Sequence, residues 1–313
     1  MKDFILIGAA GYIAPRHLQA IKDTENNLVA AYDISDSVGI LDSYFPNCDF
    51  FTDFKSFSQF VSQLKRKPDY LSICSPNFLH KDHIKWGLQN NIDVICEKPL
   101  VLSISELNEL YKYEQKSTAQ VNSILQLRHH ESIIKLKEEI SKKEKDHKIE
   151  IELTYITSRG KWYLKSWKGD ERKSGGIAMN IGVHFFDMLH FIFGEAIRND
   201  VHYRDHLSSS GEIEFCHAIV KWFLSIDEKV LPPNAVEGEK KTFRSIKFES
   251  KELEFSGGFT DLHTKAYQNI FSGNGFGLSC NEDAIATVEK IRTSKINLRS
   301  NAIHPLLKRF QNN

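Results

Sequence analysis

The sequence predicts an α/β protein: a Rossmann-type, doubly wound parallel sheet, then an α/β domain built on a large, mostly antiparallel open sheet. Three observations predict it. An apolar run of strand length, Phe4 to Ile7, meets two glycines spaced three apart, Gly8 and Gly11. A second apolar run, Leu28 to Tyr32, ends in an acid, Asp33. Strand-like and helix-like patterns then alternate up to about residue 127, where period-two alternation takes over. The division is 1–127 for a first domain and 128–313 for a second.

In the first domain, Gly8 permits a tight turn and Gly11 lets the backbone approach a diphosphate. A helical pattern follows (Ile13, His17, Leu18, Ile21), so the turn sits at a helix N-terminus whose N–H groups and dipole favour phosphate. The glycine pattern is G-x-x-G-x-x-A rather than G-x-G-x-x-G, with Ala10 and Ala14 at the flanking places and Tyr12 and Ile13 completing the loop. Asp33 lies 22 positions past Gly11, where a carboxylate can accept from the adenosine ribose hydroxyls. Its charge repels a 2′-phosphate, so the expected cofactor is NAD. A helix is expected over Lys55 to Leu64, strands over Tyr70 to Cys74 and Ile92 to Cys96, and a helical stretch between them at Ile84 and Leu88. Ser103 and Glu106 form a capping box. Val121 to Leu127 reads as one more strand, with Gln126 near its end as a further cofactor contact.

In the second domain, a charged helix over Ile133 to Lys145 leads into a half-exposed strand, Ile149 to Thr157. Strand-like runs follow at Val201 to Tyr203, Ile213 to Ile226, Phe243 to Phe248 and Leu253 to Phe255. The pattern from Leu278 to Arg292 is a closing helix and a candidate to return to the first domain.

Composition narrows the function. Forty-one acids balance forty-one bases, so overall charge points to neither nucleic acid nor an anionic membrane. The five cysteines are odd in number and widely spaced, which suits free thiols in a reducing cytoplasm. No apolar stretch approaches the roughly 18 residues of a membrane span, and the short apolar run at the N-terminus is interrupted by Asp3.

Four clusters carry candidate chemistry. Ser75, Pro76, Asn77 and His80 form a turn directly after a strand, at the sheet edge where a cofactor crosses; they also suit an ordinary turn. Glu97-Lys98-Pro99 places Glu97 and Lys98 at the next strand end as further cofactor contacts, and the lysine's cation can stabilise a developing alkoxide or relay its proton; a surface Glu–Lys pair is the plainer alternative. Asn180, His184 and Asp187 fall at i, i+4 and i+7, which predicts one helical face. A neutral-pH histidine suits proton abstraction from an alcohol and Asp187 can orient it, although a core histidine gives the same pattern. No second His or Cys stands beside His184 at metal-ligand spacing, so no metal is expected. Finally, Arg159, Lys161, Trp162 and Tyr163 open a loop that interleaves cations with aromatics as far as Lys173. That mixture suits an anionic ligand carrying a ring, or a plain exposed loop.

Taken in order, these motifs resemble the NAD(P)-dependent sugar oxidoreductases of the Gfo/Idh/MocA family, which includes glucose–fructose oxidoreductase and inositol 2-dehydrogenase. The likeness rests on Gly8 to Ala14, Asp33, Pro76-Asn77 with His80, Glu97-Lys98-Pro99 and Gly175-Gly176 with His184. It tightens over Gly8 to His17, Ile156 to Tyr163, Ser166 to Gly176 and Gly257 to His263, which resemble the UDP-N-acetyl-glucosaminuronate 3-dehydrogenases. The resemblance implies a UDP-linked N-acetylated uronic acid as substrate, oxidised at C3 for bacterial surface polysaccharide (O-antigen). It also implies 2-oxoglutarate as a recycling oxidant and a homotetramer. Lys98 and His184 are the implied catalytic pair, with Lys98, Arg159, Lys161, Trp162, Tyr163, Asn180 and His184 around the sugar. Many family members have Asp where this chain has Asn180, so the proton falls to His184 or Lys98. Two alternatives stay open: a dehydrogenase of another sugar or inositol, and a ligand-binding regulator that kept the fold and lost the chemistry.

Overall fold

β1 (Asp3–Ile7) is buried at four of its five positions, as a strand covered on both faces must be. In the computed structural model it is the centre of a six-stranded sheet. The other members are β2 (Asn27–Tyr32), β3 (Asp49–Phe51), β4 (Tyr70–Ile73), β5 (Asp93–Cys96) and β6 (Val121–Ser123). The order β3-β2-β1-β4-β5-β6 is wholly parallel and reverses direction between β1 and β4, the switch point of a doubly wound sheet. The structure describes residues 1–142, 148–248, 251–254, 261–297 and 303–311. They fall into two units: Met1–His129 with Thr260–Glu282, and His130–Phe259 with Asp283–Asn313.

Local sequence explains most elements of the first unit. Helix Ala14–Asp23 carries Pro15 in its first turn, where a missing N–H is harmless, and buries His17, Leu18 and Ile21. Helix Phe54–Gln63 is capped by Asp53, whose carboxylate accepts from Ser56 N at 2.7 Å. At helix Ile104–Glu114, Ser103 Oγ accepts from Glu106 N, while the Glu106 carboxylate accepts from Leu102 N, one residue earlier than a standard capping box. Helix Leu262–Phe271 arrives from far along the chain and joins the same core. Its Tyr267 is fully buried against Phe4, 5.8 Å between ring centroids, and Phe4 stacks in turn on Tyr70.

The second unit is a mixed sheet in the order β12-β11-β7-β10-β9-β8. Its strands are β7 (Ile149–Thr157), β8 (Ala196–Arg204), β9 (Ser208–Phe215), β10 (Ala218–Ser225), β11 (Thr242–Phe248) and β12 (Lys251–Glu254). Every pairing is antiparallel except β7 with β10. Helix Val183–Phe193 covers one face, with Phe185 on Tyr155 and Phe186 edge-on to Trp222.

The structure corrects the reading of several elements. Val121 to Leu127 is not one strand: β6 stops at Ser123, and turn bonds from Leu125 N and Arg128 N wind Gln126–His129 into a 3₁₀ turn. The run Ile213 to Ile226 is two strands, β9 and β10, folded back on each other across Cys216 and His217. The charged helix spans Glu131–Ser141, and the rest of that tract lies largely outside the described residues, as do Phe255 and Gly257 to Thr260. The closing helix begins with a 3₁₀ turn, Leu278–Asn281, and its α-helical part, Glu282–Thr293, runs into the second unit. No single helix among the described residues is long and apolar enough to cross a membrane.

Candidate active site

The carboxyl ends of β1, β2, β4 and β5 each deliver a loop, and short hydrogen bonds tie these loops together. After β1, Gly8 takes φ +93°, and a Cβ there would lie 2.5 Å from the Cys74 carbonyl carbon. At Gly11 it would meet Gly8 O and Cys74 O at 3.0 and 3.1 Å. Gly8 is therefore required by the neighbouring strand end, and a side chain at Gly11 would press on the same backbone. After β2, Asp33 accepts from Ala10 N at 3.0 Å and from Ser35 N at 2.9 Å, so its carboxylate braces the glycine loop. Tyr12 projects almost fully into solvent beside the start of helix Ala14–Asp23, whose N-cap is Ile13. Gly8, Ala10, Gly11 and Asp33 are thus brought together at one loop and helix start, an arrangement compatible with a dinucleotide.

The turn after β4 holds Ser75 and Asn77, both buried, and Asn77 opens a 3₁₀ segment, Asn77–Leu79, behind Pro76. His80 is buried beneath it and bridges two loops, with Nε2 2.8 Å from Ser75 O and Nδ1 2.7 Å from Pro99 O. Burial lowers its pKa against the pull of these two carbonyls. The structure therefore shows His80 bracing the loops that follow β4 and β5. Ser75 Oγ meets His83 Nδ1 at 2.9 Å. Gln126 is half-buried in its 3₁₀ turn.

After β5 comes Glu97-Lys98-Pro99, with a cis Lys98–Pro99 peptide. Glu97 is no surface residue: it is 5% exposed, and its carboxylate is surrounded by donors. Oε1 lies 3.1 Å from His17 Nε2 and 2.8 Å from His263 Nε2, and Oε2 accepts from Lys98 N at 3.1 Å. His17 Nδ1 is 2.7 Å from the Tyr267 hydroxyl, itself 2.7 Å from Ser72 Oγ. Burial alone would raise the Glu97 carboxyl, but the His17 and His263 donors outweigh it and hold it well below the usual range. Burial also lowers His17, against the pull of Glu97. His17, Glu97 and His263 bring three potential ligand atoms within 4.8 Å of one another, a set absent from the sequence reading. Lys98 itself is half-buried.

In the second unit the predicted helical face does not form. The helix breaks at Ile181–Gly182, leaving Gly176–Asn180 and Val183–Phe193 as separate helices, with a 47° bend between Glu171–Asn180 and Val183–Phe193. A Cβ on Gly182 would lie 2.5 Å from both Ala178 O and Leu224 Cδ1, so only glycine fits where the chain turns. His184, half-buried, and Asp187, buried, share the later helix, whereas Asn180 ends the earlier one. Asn180 Nδ2 donates to the Tyr163 hydroxyl, and Tyr163 is 2% exposed, so this pair forms a wall in which the tyrosine is not open to solvent. Arg159, Lys161 and Trp162 remain exposed. Arg172 is paired with Asp170 at 3.1 Å.

The same loop supplies a cation that the sequence reading did not single out. Lys168 is half-buried over the Trp167 ring at 4.0 Å, and burial together with Arg159 lowers its pKa. It lines a cavity of about 330 Å3 with Tyr163, Arg204 and Arg292. Arg204 ends β8 and Arg292 lies in the last turn of helix Glu282–Thr293, and no local pattern marks either as part of a site.

Residues 2–124 match the family model for an oxidoreductase family NAD-binding Rossmann fold, and residues 137–223 match the model for the C-terminal alpha/beta domain of the same family. The WlbA (WbpB) dehydrogenase of Thermus thermophilus, crystallised with NAD and alpha-ketoglutarate, is 44% identical with a TM-score of 0.94, covering 97% of this chain and 99% of that one. Its complex with NAD and UDP-GlcNAcA gives 43% identity and a TM-score of 0.93 over the same shares. Glucose-6-phosphate 3-dehydrogenase of Bacillus subtilis is 28% identical over 200 residues, 62% of this chain, and the chain spans 54% of that relative's length.

Proposed function

The chain belongs to the Gfo/Idh/MocA oxidoreductase family, with its NAD-binding Rossmann fold and C-terminal alpha/beta domain, and on that premise we propose that it is an NAD-dependent dehydrogenase oxidising the C3 hydroxyl of UDP-N-acetyl-glucosaminuronic acid. The observation that carries this reading is the near full-length likeness, at 43% identity, to a dehydrogenase bound to NAD and UDP-GlcNAcA. Position 3 is supported by the Bacillus relative, a 3-dehydrogenase.

When bound, NAD accepts the hydride from the carbinol carbon. The protein handles the remaining charge and proton. In this proposal the Lys98 ammonium faces the alkoxide that develops as the O–H bond breaks, and the His184 imidazole takes the proton, with Asp187 one turn on to orient the ring. Asn180 carries no basic group and is engaged with Tyr163, so it serves the shape of the sugar pocket. Arg159, Lys161 and Lys168 meet the uronate and diphosphate charges, and the exposed Trp162 ring is available for stacking. We extend the proposal to 2-oxoglutarate as the acceptor that reoxidises reduced cofactor in place, since the Thermus enzyme was crystallised with that acid. A cytoplasmic homotetramer serving surface-polysaccharide synthesis completes it.

A single-turnover experiment tests the reaction. Enzyme near stoichiometric with NAD is mixed with UDP-N-acetyl-glucosaminuronate or, separately, with UDP-N-acetylglucosamine, and reduced-nicotinamide absorbance is followed. A rise with the uronate alone is expected. Silence with both, in protein shown to hold NAD, refutes the substrate.

A further inference from the structure

Glu97 is expensive to bury. A carboxylate removed from water is stabilised only by donors that replace its hydration, and such a site is often no more stable than a well-packed apolar one. The bonds around it nevertheless have one consistent polarity. An ionised carboxylate only accepts, so His17 Nε2 and His263 Nε2 both carry the proton. A neutral His17 then presents a bare Nδ1 to Tyr267. Burial raises the Tyr267 hydroxyl well above its ordinary value, so the phenol keeps its proton and donates it. Ser72 Oγ donates in turn to the Tyr267 oxygen. The chain runs Ser72 to Tyr267 to His17 to Glu97, with His263 arriving from the other side and Lys98 N–H filling the second oxygen. Its one formal charge is Glu97, directly behind the lysine.

The residues on either side of Lys98 are held as well. Glu97 N donates to Ile73 O at 3.1 Å, and Pro99 O meets His80 Nδ1. A lysine side chain has many rotamers to lose when it is held in one place, and a small misplacement of a reacting group costs large rate factors. We propose that Glu97, His17 and His263 are positioning residues for Lys98, and that helix Leu262–Phe271 is part of the catalytic apparatus because it supplies one donor, His263, and Tyr267 behind another. The proposal rests on Lys98 being the cation of the reaction. The N···O separations of 2.8 and 3.1 Å are those of N–H···O hydrogen bonds, and a metal held by the same three side chains is the competing arrangement that the test separates.

The test uses single-turnover hydride transfer with NAD and UDP-N-acetyl-glucosaminuronate. Glu97→Gln and His263→Leu should each slow transfer about 10- to 100-fold, with the NAD dissociation constant changed less than about twofold. His263→Gln, which returns an N–H donor, should recover most of the rate. Should Glu97→Gln fail to fold, the two His263 variants carry the test. The decisive comparison is made in a Lys98→Met background, where His263→Leu should cost less than about twofold further because no ammonium remains to be placed. An equal loss in both backgrounds would show a merely structural role and overturn the clamp. So would normal transfer in His263→Leu, or one equivalent of tightly held divalent metal whose removal reproduces the loss. Normal transfer in Lys98→Met alone would instead refute the catalytic assignment on which the clamp depends.

Discussion

The two units prepare their chemistry in opposite ways. In the first, the predicted residues sit at strand ends and are locked by paired groups, half-buried Asp33 on the glycine loop, buried His80 between two carbonyls and buried Glu97 between two histidines. In the second, the predicted residues lie on a broken helix and on a loop whose cations Arg159 and Lys161 face solvent. The first arrangement suits a cofactor and a reacting hydroxyl, whose positions must not vary. The second suits recognition of a large anionic ligand that can itself order the loop. Burial, not residue type, makes the difference.

The comparison breaks most visibly at Lys98. Lys98→Met should reduce single-turnover hydride transfer about 1,000-fold while NAD titrated by fluorescence still binds; near-normal transfer would move the chemistry away from the first unit. Gly8→Ala forces a Cβ into the Cys74 backbone at positive φ and should cost about 3 kcal/mol of stability, read from the denaturant midpoint. Replacing Arg159 and Lys161 together by glutamine should raise KM for the uronate about tenfold with kcat nearly unchanged, because exposed charges bind more than they position. A fall in kcat instead would mean that the loop is as preorganised as the first unit.

Acid should expose the locked unit more gently. His17 is lowered below 6.5 and His83 to about 4, so each is neutral in the fold and charges more readily once unfolded. Glu97 is held well below 4.5 and so favours the fold while ionised. Both kinds of shift contribute stability that is present above the unfolded pKa and is lost as pH falls, so the unfolding midpoint should decline from about pH 6.5 downward. In the second unit His304, at about 3, contributes with the same sign. A midpoint that is flat from pH 7 to 4.5 would contradict the neutral histidines. The smallest effect is expected at Arg172: it is exposed and already paired with Asp170, so Arg172→Ala should change KM less than about twofold.

What the sequence disclosed follows the same division. Gly8, Gly11 and Asp33 are legible because a turn needing positive φ and an acid at the next strand end are local requirements. Lys98 is legible because a strand end fixes it. The partners of Glu97 are not, since His17 lies 80 residues before it and His263 166 residues after, and no spacing rule links them. No single helical face joins Asn180 to His184 because Gly182 lies between them; a glycine inside a helical pattern is itself the signal of a break. Arg204 and Arg292 reach the cavity through sheet and helix packing that single-chain periodicity cannot encode. The hairpin at Cys216 and His217 escaped because neither residue announces a turn.

Helix Leu262–Phe271 completes a core that the first 129 residues begin. On the ribosome, the nucleotide-binding sheet therefore emerges long before the segment that covers Phe4 and Tyr70 and supplies His263 to Glu97. The nascent first unit must wait, with that surface bare, while the whole second sheet is translated. A chain that stalls in between carries a dinucleotide fold without its last helix, and is a natural client for chaperones that shield apolar patches.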